Sequence, residues 1–176
     1  MFFRLSIFFL FFAALDLNEV RAESKEYQIK AAFLFNFAQF VQWPTTAFPE
    51  SDAPFCIGIL GSDPFDGALE ETVRGEIIGH HKLIVRHAQH LEDLKDCQMI
   101  FISKSEEGHV PQILSDLDSK PILAVSEIGN FTQSGGAINF YLQGGKVRFE
   151  INPSSAQRVG LKISSQLLNL GKIVEP

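Results

Sequence analysis

Apolar and polar positions change their rhythm three times along this chain. Leu5 to Leu15 is an almost unbroken apolar run, interrupted only by Ser6 and preceded by the basic Arg4. At about 11 residues it falls well short of the roughly 20 that a helix needs to cross a bilayer. Val20-Arg21-Ala22 then places small residues where a signal peptidase would cut. Residues 1–22 therefore read as a secretory signal peptide, which predicts export to the bacterial periplasm and a mature domain over residues 23–176. An uncleaved membrane anchor is the alternative, because Asp16 and Glu19 make the region before the cut acidic. No cysteine lies near the cut, which argues against a lipoprotein.

Beyond the leader the spacing becomes helical. Between Tyr27 and Trp43, the apolar Ile29, Phe33, Phe37, Phe40 and Val41 recur at helical intervals, and Pro44 predicts the stop. Leu34 and Phe35 widen the stripe beyond one face, so this helix is either buried on two sides or offers aromatic surface to a partner. Phe55–Leu60 is an apolar run of strand length, followed by Gly61-Ser62-Asp63-Pro64, in which Asp63 can cap a helix starting at Pro64. Lys82–Arg86 and Gln98–Ile102 read as the second and third strands, the third apolar on both faces as an interior parallel strand is. Ser103 and Glu106 have capping-box spacing, predicting a helix to about Leu117, and Pro121–Val125 reads as a fourth strand.

The last third opens with two strand-like runs, Ala137–Leu142 and Lys146–Ile151, joined by Gly144-Gly145, a two-residue hairpin signal. Asn152-Pro153 supplies the cap and first turn of a final helix whose predicted buried stripe is Ala156, Val159, Ile163, Leu167 and Leu170. The predicted class is α/β: a single domain with a mostly parallel sheet flanked by helices on both faces, a C-terminal antiparallel hairpin and a final helix.

Charge narrows the partners. The 176 residues carry 15 Lys and Arg against 21 Asp and Glu, a formal net charge of -6 that repels phosphate backbones, so no nucleic-acid partner is expected. Six of the 17 phenylalanines, at positions 2, 3, 8, 9, 11 and 12, belong to the leader and carry no information about the mature core.

Candidate chemistry is sparse. Cys56 lies early in the first strand and Cys97 just before the third; in a sheet that places the first strand between the second and third, these strand beginnings are neighbours. A Cys56–Cys97 disulfide is therefore expected in an exported chain, and no Cys-x-x-Cys spacing suggests a thiol poised for exchange. His80, His81, His87 and His90 cluster in sequence, but a strand over 82–86 sets His81 and His87 roughly 20 Å apart. His87 with His90 lacks the third ligand that zinc needs, so no metal site is expected. The chain has no Gly-x-Ser-x-Gly elbow, phosphate loop or His-Glu-x-x-His pair, so neither a catalytic residue nor a cofactor is expected. One polar set stands out. Arg148, Glu150 and Asn152 share a strand face, and Arg158 and Lys162 lie four apart on the predicted final helix. Packed together they could meet an anionic ligand or acidic partner; the plainer alternative is a network of Arg148 and Arg158 around Glu150.

Four segments carry a resemblance to a known family. Ala31-Ala32-Phe33-Leu34-Phe35-Asn36-Phe37-Ala38-Gln39-Phe40-Val41-Gln42-Trp43-Pro44, Gly135-Gly136-Ala137-Ile138-Asn139-Phe140, Val147-Arg148-Phe149-Glu150-Ile151-Asn152 and Gly160-Leu161-Lys162-Ile163-Ser164-Ser165-Gln166-Leu167-Leu168 resemble the signature blocks of the YfiR family, in order. The resemblance implies a periplasmic α/β protein that binds the periplasmic part of a YfiN-type membrane-bound diguanylate cyclase and represses it, lowering cyclic-di-GMP and biofilm formation. It also implies a homodimer, sequestration by an OmpA-like outer-membrane lipoprotein, and no catalytic residue. Better-known members carry a second disulfide, whereas only Cys56 and Cys97 occur here. On this reading the aromatic set Phe33, Phe35, Phe37 and Trp43 supplies an apolar partner-binding surface. A small-molecule binding module with a pocket at the carboxyl ends of the strands is the competing reading.

Overall fold

Phe55–Leu60 (β2) is buried at all six positions and forms the strand around which the sheet is built. A computed structural model describes residues 5–175, with side chains from Ala22 onward. The leader read at residues 1–22 lies outside them apart from its backbone from Leu5, where helix α1 (Leu5–Phe40) begins. After α1 come β1 (Val41–Gln42), β2, α2 (Ala68–Val73), β3 (Ile77–Ile78), β4 (His81–Ala88) and β5 (Met99–Ile102). The chain continues through α3 (Val110–Leu117), β6 (Leu123–Ser126), β7 (Ile138–Gln143), β8 (Lys146–Ile151) and α4 (Pro153–Arg158). It ends in β9 (Lys162–Ile163), α5 (Ser165–Leu168) and β10 (Lys172–Ile173).

The eight-stranded sheet has the order β10-β8-β7-β6-β5-β2-β4-β3, so β2 lies between β4 and β5 as expected. From β4 to β7 all neighbours are parallel, and β7 with β8 forms the antiparallel hairpin. Alternation along β2 fills both faces. Phe55, Ile57 and Ile59 point into a cluster with Ala31, Leu34 and Phe37 of α1 and Leu69 and Val73 of α2. Cys56 and Leu60 point the other way, into a cluster with Leu94 and with Val110, Ile113 and Leu117 of α3. The architecture is thus a mostly parallel sheet covered by helices on both faces.

Several boundaries differ from the sequence reading for local chemical reasons. Helix α1 stops at Phe40 and does not reach Trp43, because the ring of Pro44 would collide with the carbonyl of Phe40. That carbonyl accepts from Ser164 N at 2.9 Å, and Val41–Gln42 pairs antiparallel with Lys162–Ile163. Asp63 does not cap a helix at Pro64. Its Oδ1 accepts from Phe65 N at 2.8 Å, and the positive φ angles of Asp66 (50°) and Gly67 (81°) delay α2 to Ala68. Ser103 forms no capping box with Glu106; a 3-10 turn covers Lys104–His109, and α3 opens at Val110 with Pro111 in its first turn.

The final helix is the largest correction. Gly160 at φ 80° ends the helical path after α4, and the remaining chain splits into β9, α5 and β10. Ala156 and Leu167 are buried as expected, but Leu170 is 66% exposed. The hairpin is as expected: Gly144 and Gly145 have φ 58° and 71°, the conformation that a type I′ turn requires.

Asn152 does cap the helix that follows it. Its Oδ1 accepts from Ser155 N at 3.1 Å while Nδ2 donates to the Thr132 carbonyl at 3.0 Å, both away from solvent. Asn152→Ala is expected to cost about 2 kcal/mol, from loss of the cap and an orphaned carbonyl. Urea denaturation would reveal it, and a change below about 0.5 kcal/mol would rule out this accounting.

Candidate functional site

The amino-terminal turns of α1 that carry described side chains cross the carboxyl edge of the sheet. They are held there by an ion cluster rather than by apolar packing alone. Lys30 is 2% exposed, and its Nζ pairs with Glu26 one turn back and with Glu127, which follows β6. Tyr27 Oη donates to Glu127 Oε1 at 2.8 Å, and Lys30 Nζ sits 4.4 Å from the Tyr27 ring centroid. Burial, together with the adjacent Glu127 carboxylate, pushes the Tyr27 phenol well above its ordinary pKa, so it stays a hydrogen-bond donor. One cation thus holds two carboxylates, tying α1 to the end of β6.

Outside this cluster, α1 and the β7–β8 hairpin form the walls of a groove of about 790 Å³. Ile29, Phe33, Leu142 and Val147 give it an apolar lining, in which Ile29 is 39% exposed and Leu142 55%. Lys25, Lys104, Lys146 and Arg148 add four cations against the two carboxylates Glu23 and Glu26. Lys104 Nζ lies 4.0 Å from Glu127 Oε1, so the buried cluster and the groove share an edge. The other flank of α1 has the opposite character: a second groove, about 550 Å³, sets Glu23, Asp66, Glu70 and Glu71 against Arg74 alone. In a chain of net charge -6, the hairpin side is therefore the one suited to an acidic partner.

The aromatic set read from the sequence divides. Phe37 is wholly buried, 5.6 Å from Phe140 and 5.1 Å from Phe149 between ring centroids. Trp43 is half-buried, donates from its indole N to the Gln98 carbonyl at 2.9 Å and stands edge-on to Phe55. Phe33 and Phe35 are half-buried, and Phe33 lines the groove with its ring 5.2 Å from Phe149.

The polar set does not gather. Arg158 pairs with Asp118 at 2.7 Å; Glu150 accepts from the Thr132 hydroxyl at 2.5 Å and lies 3.7 Å from Lys172; Asn152 is the α4 cap. The break at Gly160 puts Lys162 on β9 rather than on the helical face of Arg158. Only Arg148 reaches the groove. Lys25, Lys30, Lys104 and Glu127 were not singled out by the sequence; the one local signal was the i,i+4 spacing of Glu26 and Lys30.

At the opposite edge of the sheet, Cys56 and Cys97 form a disulfide with Cα atoms 4.5 Å apart, as expected. Gln98 reinforces it, accepting from Cys56 N at 2.8 Å and donating to the Ala47 carbonyl at 2.7 Å.

The architecture is that of a single-domain α/β protein, with an open groove of mixed apolar and cationic character beside its first helix. The YfiR/HmsC-like family profile matches residues 27–172, and the chain belongs to that family. The family is a regulatory, non-catalytic one associated with diguanylate cyclases.

Proposed function

We propose that this chain, exported to the periplasm and freed of residues 1–22, binds the periplasmic part of an inner-membrane diguanylate cyclase and represses it, lowering cyclic-di-GMP and biofilm formation. The observation that carries the reading is the groove between α1 and β7–β8, where exposed Ile29 and Leu142 lie among four cations in an otherwise acidic chain. Apolar anchors ringed by charge suit a protein segment that carries its own acidic residues. Repression needs no chemistry, since a ligand shifts a conformational equilibrium by its differential affinity for the two states. A homodimer, and sequestration by an OmpA-like outer-membrane lipoprotein, belong to the same proposal.

Deleting the gene should raise intracellular cyclic-di-GMP, and co-deleting the partner cyclase should abolish the rise. Reintroducing the chain with Lys146→Glu and Arg148→Glu, both at exposed positions, should leave cyclic-di-GMP high at an unchanged protein level. Full restoration by that variant would move the contact surface elsewhere. An unchanged level in the single deletion would end the repressor reading.

A further inference from the structure

The groove between α1 and the β7–β8 hairpin changes character along its length. Lys25, Ile29 and Phe33 follow at i, i+4 and i+8 on α1, one ridge that runs roughly 12 Å from a cation to an aromatic ring. Phe33 closes the far end, its ring centroid 5.2 Å from that of Phe149. Across the groove, Leu142 and Val147 are cross-strand partners, and Val147 is flanked by Lys146 and Arg148. We propose that this groove binds a long-chain fatty acid as its anion, with the carboxylate toward Lys25 and the chain along Ile29 and Phe33.

The cations of the groove lack internal counterions. Glu26, one of the two carboxylates in the lining, is bound to the buried Lys30. Among the described residues Lys25, Lys146 and Arg148 pair with no carboxylate, although Arg86, Arg158 and Lys172 elsewhere on the surface each do. An inorganic anion would meet those cations but leave Ile29 and Leu142 in water, and a neutral apolar molecule would leave the cations uncompensated. The volume favours a small molecule over a bilayer surface. About 790 Å³ lies within the roughly 300–1,000 Å³ of small-molecule sites, which are mostly apolar with a few polar groups that fix orientation. The acidic groove on the other flank of α1 would repel the same anion, so a single site per chain is expected. The regulatory consequence rests on the reading of this groove as the cyclase contact: an acyl chain seated there would cover Ile29 and compete with the partner, lifting repression.

Isothermal titration of the purified chain with sodium laurate, kept below its micelle concentration, tests the assignment. One laurate per chain is expected, with decanoate weaker by about 4- to 16-fold for the two methylenes lost. Dodecyltrimethylammonium, the same chain on a cationic head, should bind at least about 10-fold more weakly, and acetate should give no saturable heat. Lys25→Glu with Lys146→Glu, both at exposed positions, should weaken laurate binding by about 10-fold or more at an unchanged melting temperature. Lys82→Glu with Lys162→Glu, the same charge change outside the groove, should bind as the parent does. Absence of saturable laurate binding, equal binding of the cationic amphiphile, or parental affinity after the Lys25 and Lys146 reversals would each overturn the proposal. Should that double variant not fold, Ile29→Asp at its exposed position decides instead, with parental affinity as the refuting result. No partner is present in the titration, so its failure leaves the repressor reading standing, and an unchanged cyclic-di-GMP level in the gene deletion leaves laurate binding untouched.

Discussion

Replacing Cys56 and Cys97 by alanine is expected to lower the unfolding free energy by about 4 kcal/mol, the chain-entropy value for a closed loop of this size. The cysteines are 41 residues apart, and the loop they close contains β2, α2, β3 and β4, one whole wing of the sheet. Opening the bridge frees that wing in the unfolded chain while leaving most folded contacts in place. Gln98 still clamps the strand starts through Cys56 N and the Ala47 carbonyl, and Trp43 still donates to Gln98. The folded structure should therefore survive with reduced stability, where typical domains hold only about 5–15 kcal/mol in total. Urea titrations of the parent and the double alanine variant would measure the difference. A loss below about 1 kcal/mol would mean that the unfolded chain is already compact over this wing.

This bridge was legible because it depends on strand order, which burial patterns reveal. Phe55–Leu60 and Met99–Ile102 are apolar on both faces, so they must be interior strands, and interior parallel strands put their starts together. Gly144-Gly145 was equally readable, since only residues tolerant of positive φ fit a two-residue hairpin turn. The end of the chain was misread for a related reason. Ala156 and Leu167 are both buried in the same cluster, which imitates one continuous stripe, but Gly160 interrupts the helix and two short helical turns bury them separately. Spacing reports which residues are inside; it does not report whether the path between them is continuous.

The groove was much less legible. Lys25, Lys104 and Arg148 come from three distant stretches of chain, and only the parallel crossovers bring them to one edge of the sheet. Arg148 shares the groove with Lys146 of its own strand, but also with Lys25 on α1 and Lys104 in the turn after β5, which no local pattern connects with it. Arg158 was drawn off by Asp118, a residue in the turn after α3 that no local pattern connects with it. Long-range electrostatic pairing of this kind leaves no periodic trace.

Lys30 is the extreme case, and it leads to the other large expected effect. Lys30→Ala should destabilise the chain by about 3–5 kcal/mol, because it strands Glu127, whose side chain is 5% exposed, beside Glu26 with no buried cation between them. Lys104 cannot replace it, being 68% exposed and 4.0 Å from the nearer Glu127 oxygen. The loss is electrostatic rather than volumetric, so the double variant Lys30→Met with Glu127→Gln should recover a substantial part of it. That amide can still accept from the Tyr27 hydroxyl. A double variant no more stable than Lys30→Met would show instead that packing around the lysine stem is what matters. The functional consequence differs from that of the groove charges. Lys30 holds α1 against the end of β6, and α1 is one wall of the proposed contact surface. Loosening it should weaken partner binding even where the chain remains folded, whereas Lys146→Glu with Arg148→Glu should weaken binding at unchanged stability. Measuring both quantities on both variants separates a residue that shapes the groove from residues that meet the partner. Equal binding loss with no loss of stability in Lys30→Ala would place the lysine itself in the contact.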